Sequence, residues 1–208
     1  MTVNVPLMQG VLKAIEETDG HWDQREWRVL DFVSGRITDL APSTQGLHGL
    51  TELDYMCSTA MCCAGWAVHL EPSLTYLITP QIAIEARALS MEVGDFDDLV
   101  ITPPGASRFV SPGFGTMSWE KYRNGEFLGM GSAMAALIQR HHPTLTDKSK
   151  IVSIETAAVN ILGIEQDPLM LFDSDNTLAD VKRIIGLYCA YPDDIYAIDE
   201  DQDEKALI

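Results

Sequence analysis

Positive charge is scarce in this sequence. Its 208 residues carry 14 Lys and Arg against 31 Asp and Glu, a formal net charge of −17. Gripping a phosphate backbone requires clustered cations, so direct nucleic-acid binding is not expected. Long apolar runs are missing as well. No stretch reaches the ~18 consecutive apolar residues of a membrane span, so none is expected. Residues Met1 to Asp19 lack the basic start and apolar centre of a secretion signal. Cysteine is sparse and irregular. Cys57, Cys62, Cys63 and Cys189 never form a Cys-x-x-Cys pair. That pattern predicts a reducing, cytoplasmic compartment rather than a disulfide scaffold or a zinc site. The five histidines show no ligand spacing, so no metal is expected. Gly113-x-Gly115 and Gly129-x-Gly131 lack a Walker Lys-(Ser/Thr), and no cofactor is expected. The acidic turn at Asp95–Asp98 lacks the central Gly and distal Glu of a calcium loop.

What the chain does contain is concentrated in one stretch, Cys57 to Val68, with three of the four cysteines, Gly65 flanked by Ala64, and Trp66. Thr59 is suited to cap a helix running from about Ala60 to Leu70, where Pro72 stops it. On that helix Ala60, Ala64 and Ala67 share a face, and Cys62, Trp66 and His69 share another. Small residues beside Gly65 allow close backbone approach, so a central, buried helix is predicted. Read chemically, Cys62 falls in the first turn, where unpaired N–H groups and the dipole favour a thiolate. Papain-like enzymes also place a helix-start Cys near a Trp, but their Cys-Gly-Ser-Cys-Trp order is absent here. The histidines that would act as base are His141 and His142. Read structurally, the same cysteines are small buried hydrophobes.

Elsewhere helical spacing dominates. Pro6–Thr18 carries Leu7, Val11, Leu12 and Ile15 on one stripe. Trp22, Gln24 and Trp27 crowd a turn that anchors to the core, and residues 27–33 suit a short strand. Residues 39–55 have loop chemistry, and 73–78 a strand or turn. Thr79-Pro80 opens a helix with Ile82, Ile84, Ala86, Leu89 and Val93. The Pro- and Gly-rich run 101–115 is irregular. Ser132 caps a helix to His141 with Ala133, Ala136, Leu137 and Ile138 inward. Ile151, Ile154, Ala157, Ala158, Ile161 and Leu162 mark another, ended by Gly163. Thr177 and Asp180 form a capping box before the stripe Leu178, Val181, Ile184, Ile185 and Tyr188. The expectation is a mainly α protein: a single compact domain of five or six helices over 1–192, short β elements allowed, with an acidic tail over 193–208.

Three segments together resemble an uncharacterised protein family of actinobacteria and their bacteriophages. They are Trp22-Asp23-Gln24-Arg25-Glu26-Trp27, the cysteine stretch from Cys57 to Val68, and Ala157–Ile164 followed by Leu171-Phe172 and Asn176–Asp180. Ser58 departs from the family's usual Gly, and extra chain separates Trp27 from Cys57. The resemblance implies a phage or prophage origin and action in the host cytoplasm. It brings no established activity.

Two functions are then in competition. The favoured one is a non-enzymatic acidic protein that binds a host protein with a basic surface. Asp199, Glu200, Asp201, Asp203 and Glu204 of the tail would supply contacts, and Cys57, Thr59, Cys62, Gly65, Trp66, Trp22, Gln24 and Trp27 would be structural. The rival is a cysteine-dependent hydrolase or transferase using Cys62, with His141 or His142 as base. Mimicry of nucleic acid by the acidic surface is a further reading.

Overall fold

The computed structural model describes residues 2–17, 29–30, 59–60, 62–93, 96–102, 116–126, 130–164 and 170–193. The Trp22–Trp27 segment, Cys57, residues 103–115, Asp167-Pro168 and the tail from 194 lie outside the described residues.

Four helices build the first core. Helix α1 spans Val5–Glu17. Asn4 caps it, its Oδ1 accepting the Leu7 N–H at 3.3 Å, with Pro6 in the first turn where no donor is needed. Met8, Val11 and Ile15 are its buried residues, spaced by three and four. Helix α2 spans Cys63–Leu70. Ser153 caps α6, Ile154–Leu162, by accepting the Thr156 N–H, and Gly163 ends it in the left-handed conformation at φ 71°. Thr177 and Asp180 make both bonds of the expected capping box at the start of α7, Leu178–Ala190. Helix α2 packs on α1 and α6, and α1 on α7, which puts α2 at the centre of this core.

A four-stranded antiparallel sheet bounds that core. It comprises β3 (Thr75–Tyr76), β4 (Leu99–Ile101), β5 (Met117–Ser118) and β6 (Lys150–Ser153), in the order β3-β4-β6-β5. Val100 faces Val152 across the ladder, and Ile101 faces Ile151. Because side chains alternate along a strand, the two pairs point to opposite faces. Val100 and Val152 belong to the four-helix core. Leu99, Ile101 and Ile151 belong to a second core, under α3 (Pro80–Ala88), α4 (Trp119–Arg123) and α5 (Ser132–His141). The sheet is thus a shared wall with helices on both sides. In the second core Trp119 and Tyr122 are fully buried. The Trp119 Nε1–H is satisfied by Gln139 Oε1 at 2.9 Å, and Gln139 in turn donates to the Leu145 carbonyl at 2.9 Å. Burial pushes the Tyr122 phenol up to about 12. Each large apolar side chain buried in these cores contributes about 1.5–3 kcal/mol.

The described residues are mostly helical, with seven helices, and the sheet makes the architecture mixed α/β rather than a plain helical assembly. Several local expectations need correction. Ile151 belongs to β6, not to the helix that follows. Gly131, not Ser132, is the N-cap of α5. Ala133 and Ala136 face solvent while Met134 and Ala135 are buried. Alanine is compatible with either side of a helix, so its spacing sets no phase. Leu89 is 63 % exposed, past the end of α3. Thr79 caps α3 as expected, with Ile82 N–H bonded to its hydroxyl at 3.3 Å.

Candidate functional site

The cysteine stretch divides into two structures. Thr59 and Ala60 form β2, paired antiparallel with Val29 and Leu30 of β1 in the register Leu30–Thr59 and Val29–Ala60. Thr59 therefore does not cap α2. The cap position is Cys62, extended at φ −76°, ψ −179°, and its carbonyl accepts the Trp66 N–H at 3.0 Å. Cys63 through Val68 are all buried, as a central helix requires. The Gly65 carbonyl accepts the Tyr76 hydroxyl at 3.0 Å, tying α2 to the sheet. Trp66 meets His69 edge to face, with ring centroids 5.7 Å apart at 78°. The buried Trp66 Nε1 has no hydrogen-bond partner among the described residues.

The position of Cys62 decides its chemistry. Its side chain is 1 % exposed. Burial pushes the thiol up from about 9 to about 11, and the neighbouring N–H groups of Gly65 and Ala64, which favour the thiolate, do not offset it. At neutral pH the sulfur is a protonated, buried hydrophobe. The helix-start position is real, but desolvation outweighs the partial charge of the helix end. Cys63 is likewise buried, and burial raises the thiol of half-buried Cys189.

The candidate bases sit on the other side of the sheet. His141 Nε2 lies 3.0 Å from Glu85 Oε1, and Arg140 pairs with the second oxygen of the same carboxylate. This links the end of α5 to α3. His142 is buried, and its Nε2 is 3.0 Å from the Leu77 carbonyl. A carbonyl only accepts, so Nε2 carries the proton and Nδ1 is the lone-pair nitrogen. Burial holds the His142 imidazolium pKa below its ordinary value. Leu77 belongs to the second core and Cys62 to the first. The structure does not bring the thiol and the imidazoles into one constellation.

A cavity of about 210 Å³ opens beside His142. Ser73 and Thr75 border it from β3 and its approach, and Ile101 and Thr102 from the end of β4. The turn after α5 closes it through Leu145 and Ser149. Comparison of the chain with family models, with curated proteins and with solved structures gives no match. Among the described residues no three His, Cys, Asp or Glu side chains gather as a metal site would require. No helix among them is long and apolar enough to cross a membrane. Sequence reasoning missed the cavity. Its hydroxyls come from positions 73 to 149, and no spacing rule connects them.

Proposed function

We propose that this chain acts by binding another protein through its acidic surface, and not by catalysing a reaction. The observation that carries this reading is the charge, −17 over 208 residues. Several of the few cations are already engaged within the chain: Lys13 with Glu17, Lys182 with Glu16, Arg123 with Asp147 and Arg140 with Glu85. Carboxylates such as Glu92, Glu126, Glu155 and Asp175 remain exposed. A partner with a basic surface is steered toward such a field and held in register by it. The resemblance noted in the sequence makes a host protein met by a phage-encoded one the working identity of that pair.

The burial of Cys62, with its raised thiol pKa, weighs against the cysteine-dependent hydrolase or transferase. A nucleophile must be reachable and at least partly ionised. The test is a tagged pull-down from host lysate at low salt and near 1 M salt, where the screening length is about 3 Å. A Cys62→Ser variant is run in parallel, with a second variant in which Asp199, Glu200, Asp201, Asp203 and Glu204 are replaced by neutral amides. One stoichiometric partner, kept by Cys62→Ser, lost at high salt and weakened by the amide variant, is the expected result. A partner whose capture ignores both salt and the amides would overturn the electrostatic interface.

A further inference from the structure

We propose that Asn124 is a modification site, deamidated spontaneously at a rate set by the turn that ends α4. The chain holds four asparagines. Asn4, Asn160 and Asn176 precede Val5, Ile161 and Thr177, whose branched side chains crowd the backbone nitrogen that follows the asparagine. Asn124 precedes Gly125, whose nitrogen has no side chain beside it. Asn124 is also exposed, so water reaches its amide. The reaction needs no catalyst. The Gly125 nitrogen attacks Asn124 Cγ and a C–N bond forms. The side-chain amide nitrogen leaves as ammonia, taking the proton that Gly125 gives up. Water then opens the cyclic imide. Opening at the main-chain carbonyl carbon gives an isoaspartyl link, with the backbone routed through Cβ and Cγ; opening at the other gives aspartate. Either product adds one carboxylate to a chain already at −17.

The fold accounts both for the glycine and for the restraint on the reaction. Helix α4 ends in a Schellman turn. The Gly125 N–H donates to the Tyr122 carbonyl and the Glu126 N–H to the Lys121 carbonyl, each at 3.0 Å. Gly125 takes φ 72°, the left-handed position that favours glycine. Asn124 sits at ψ 1°, which eclipses the Gly125 nitrogen with the Asn124 nitrogen. Ring closure instead eclipses the Gly125 nitrogen with Cβ. The ψ rotation this requires pulls both N–H groups off their acceptors. Trp119 and Tyr122 are fully buried and fix the helix side of the turn, so the Asn124–Glu126 side has to move. Each bond holds opening back roughly fivefold, and the two together roughly 30-fold. The native chain therefore reacts through transient opening of this one turn. The isoaspartyl link lengthens the backbone by one carbon between Tyr122 and Gly125. The two bonds then no longer fit together, and the opened turn is made permanent.

The experiment incubates the full chain at mildly alkaline pH, native and in guanidinium chloride, and follows deamidation of all four asparagines by peptide mass mapping. In guanidinium chloride Asn124 is expected to react ahead of Asn4, Asn160 and Asn176. Gly125→Ala in the same denaturant slows it several-fold, because a methyl group then stands beside the attacking nitrogen. Since that comparison is made unfolded, it does not depend on whether the variant folds. In the native chain Asn124 reacts at least about tenfold more slowly than in denaturant. Hydrogen exchange of the Gly125 and Glu126 amides, read on the native wild type, is slowed by a similar factor. Another asparagine reacting first in denaturant, or a Gly125→Ala rate equal to the wild type, would overturn the modification site. A native rate equal to the denatured one, or unprotected Gly125 and Glu126 amides, would overturn the control by the turn.

Discussion

Replacing Gly163 by Ala would put a methyl group where the backbone of the N-terminal segment now lies. A Cβ built there stands 2.4 Å from the Thr2 carbonyl oxygen and 3.4 Å from Val3 Cα. Neither contact is with a flexible side-chain end, so the segment itself must move. That segment is clasped by three bonds: Asn4 N–H to the Leu162 carbonyl at 2.8 Å, Asn4 Nδ2 to the Ile161 carbonyl at 3.1 Å, and Val3 N–H to the Pro192 carbonyl at 3.1 Å. Gly163 also sits at φ +71°, where a side chain costs roughly 1–2 kcal/mol. Losing two of the clasp bonds adds about 2 kcal/mol at a typical net value near 1 each. The expected destabilisation is about 3 kcal/mol or more, or a melting temperature lower by about 6–12 °C for a chain of this size. Urea unfolding followed by circular dichroism measures it, read at constant m-value. Two other glycines calibrate the number. Gly125 has nearly the same φ, +72°, but among the described residues its Cβ meets only the Met130 carbonyl oxygen at 3.5 Å. Gly125→Ala therefore costs the conformational part alone, about 1 kcal/mol. Gly10 lies inside α1, 3.7 Å from Leu70 Cδ1. Gly10→Ala gains about 0.5–1 kcal/mol from the unfolded chain. If Gly163→Ala costs no more than Gly125→Ala, the N-terminal clasp does not exist as described.

Two further predictions concern the titratable groups. His142 has a folded pKa below its ordinary 6.5, so the unfolded chain takes up a proton that the native chain refuses. Stability falls as pH drops below about 6.5, with a slope of at most about 1.4 kcal/mol per pH unit for this one group. The measurement is the difference between the wild type and His142→Gln, which isolates this one group. A flatter slope between pH 4.5 and 7 in the variant is expected, and an identical slope would refute the assignment. For the thiols, peptide mass mapping after native alkylation at about pH 8 should show Cys189 modified ahead of Cys62 and Cys63, which react only at the rate of opening. Fast labelling of Cys62 below neutral pH would restore the enzyme reading.

The sequence by itself determined the features whose physics is local. Thr79 before Pro80, and Thr177 with Asp180, each satisfy orphan N–H groups within one turn of their own helix, so three or four neighbouring letters suffice. The α7 stripe of Val181, Ile184, Ile185 and Tyr188 was legible for the same reason, since its spacing is set by the helix alone. The central, buried character of Cys63–Val68 followed from its small and apolar residues. Tertiary structure decided the rest. Thr59-Ala60 and Lys150–Ser153 are strands because of partners tens of residues away, and a ladder bond leaves no mark at the position of its donor. That pairing moved the helix start to Cys62 and carried the sulfur into the core, where desolvation outweighs the helix-end field that the letters suggested. The cavity is the extreme case. Ser73, Thr102, His142 and Ser149 share nothing along the chain, and only the folding of β3, β4 and the turn after α5 around one space makes them neighbours. A cavity is a property of how surfaces fail to fill volume, which no one-dimensional pattern records.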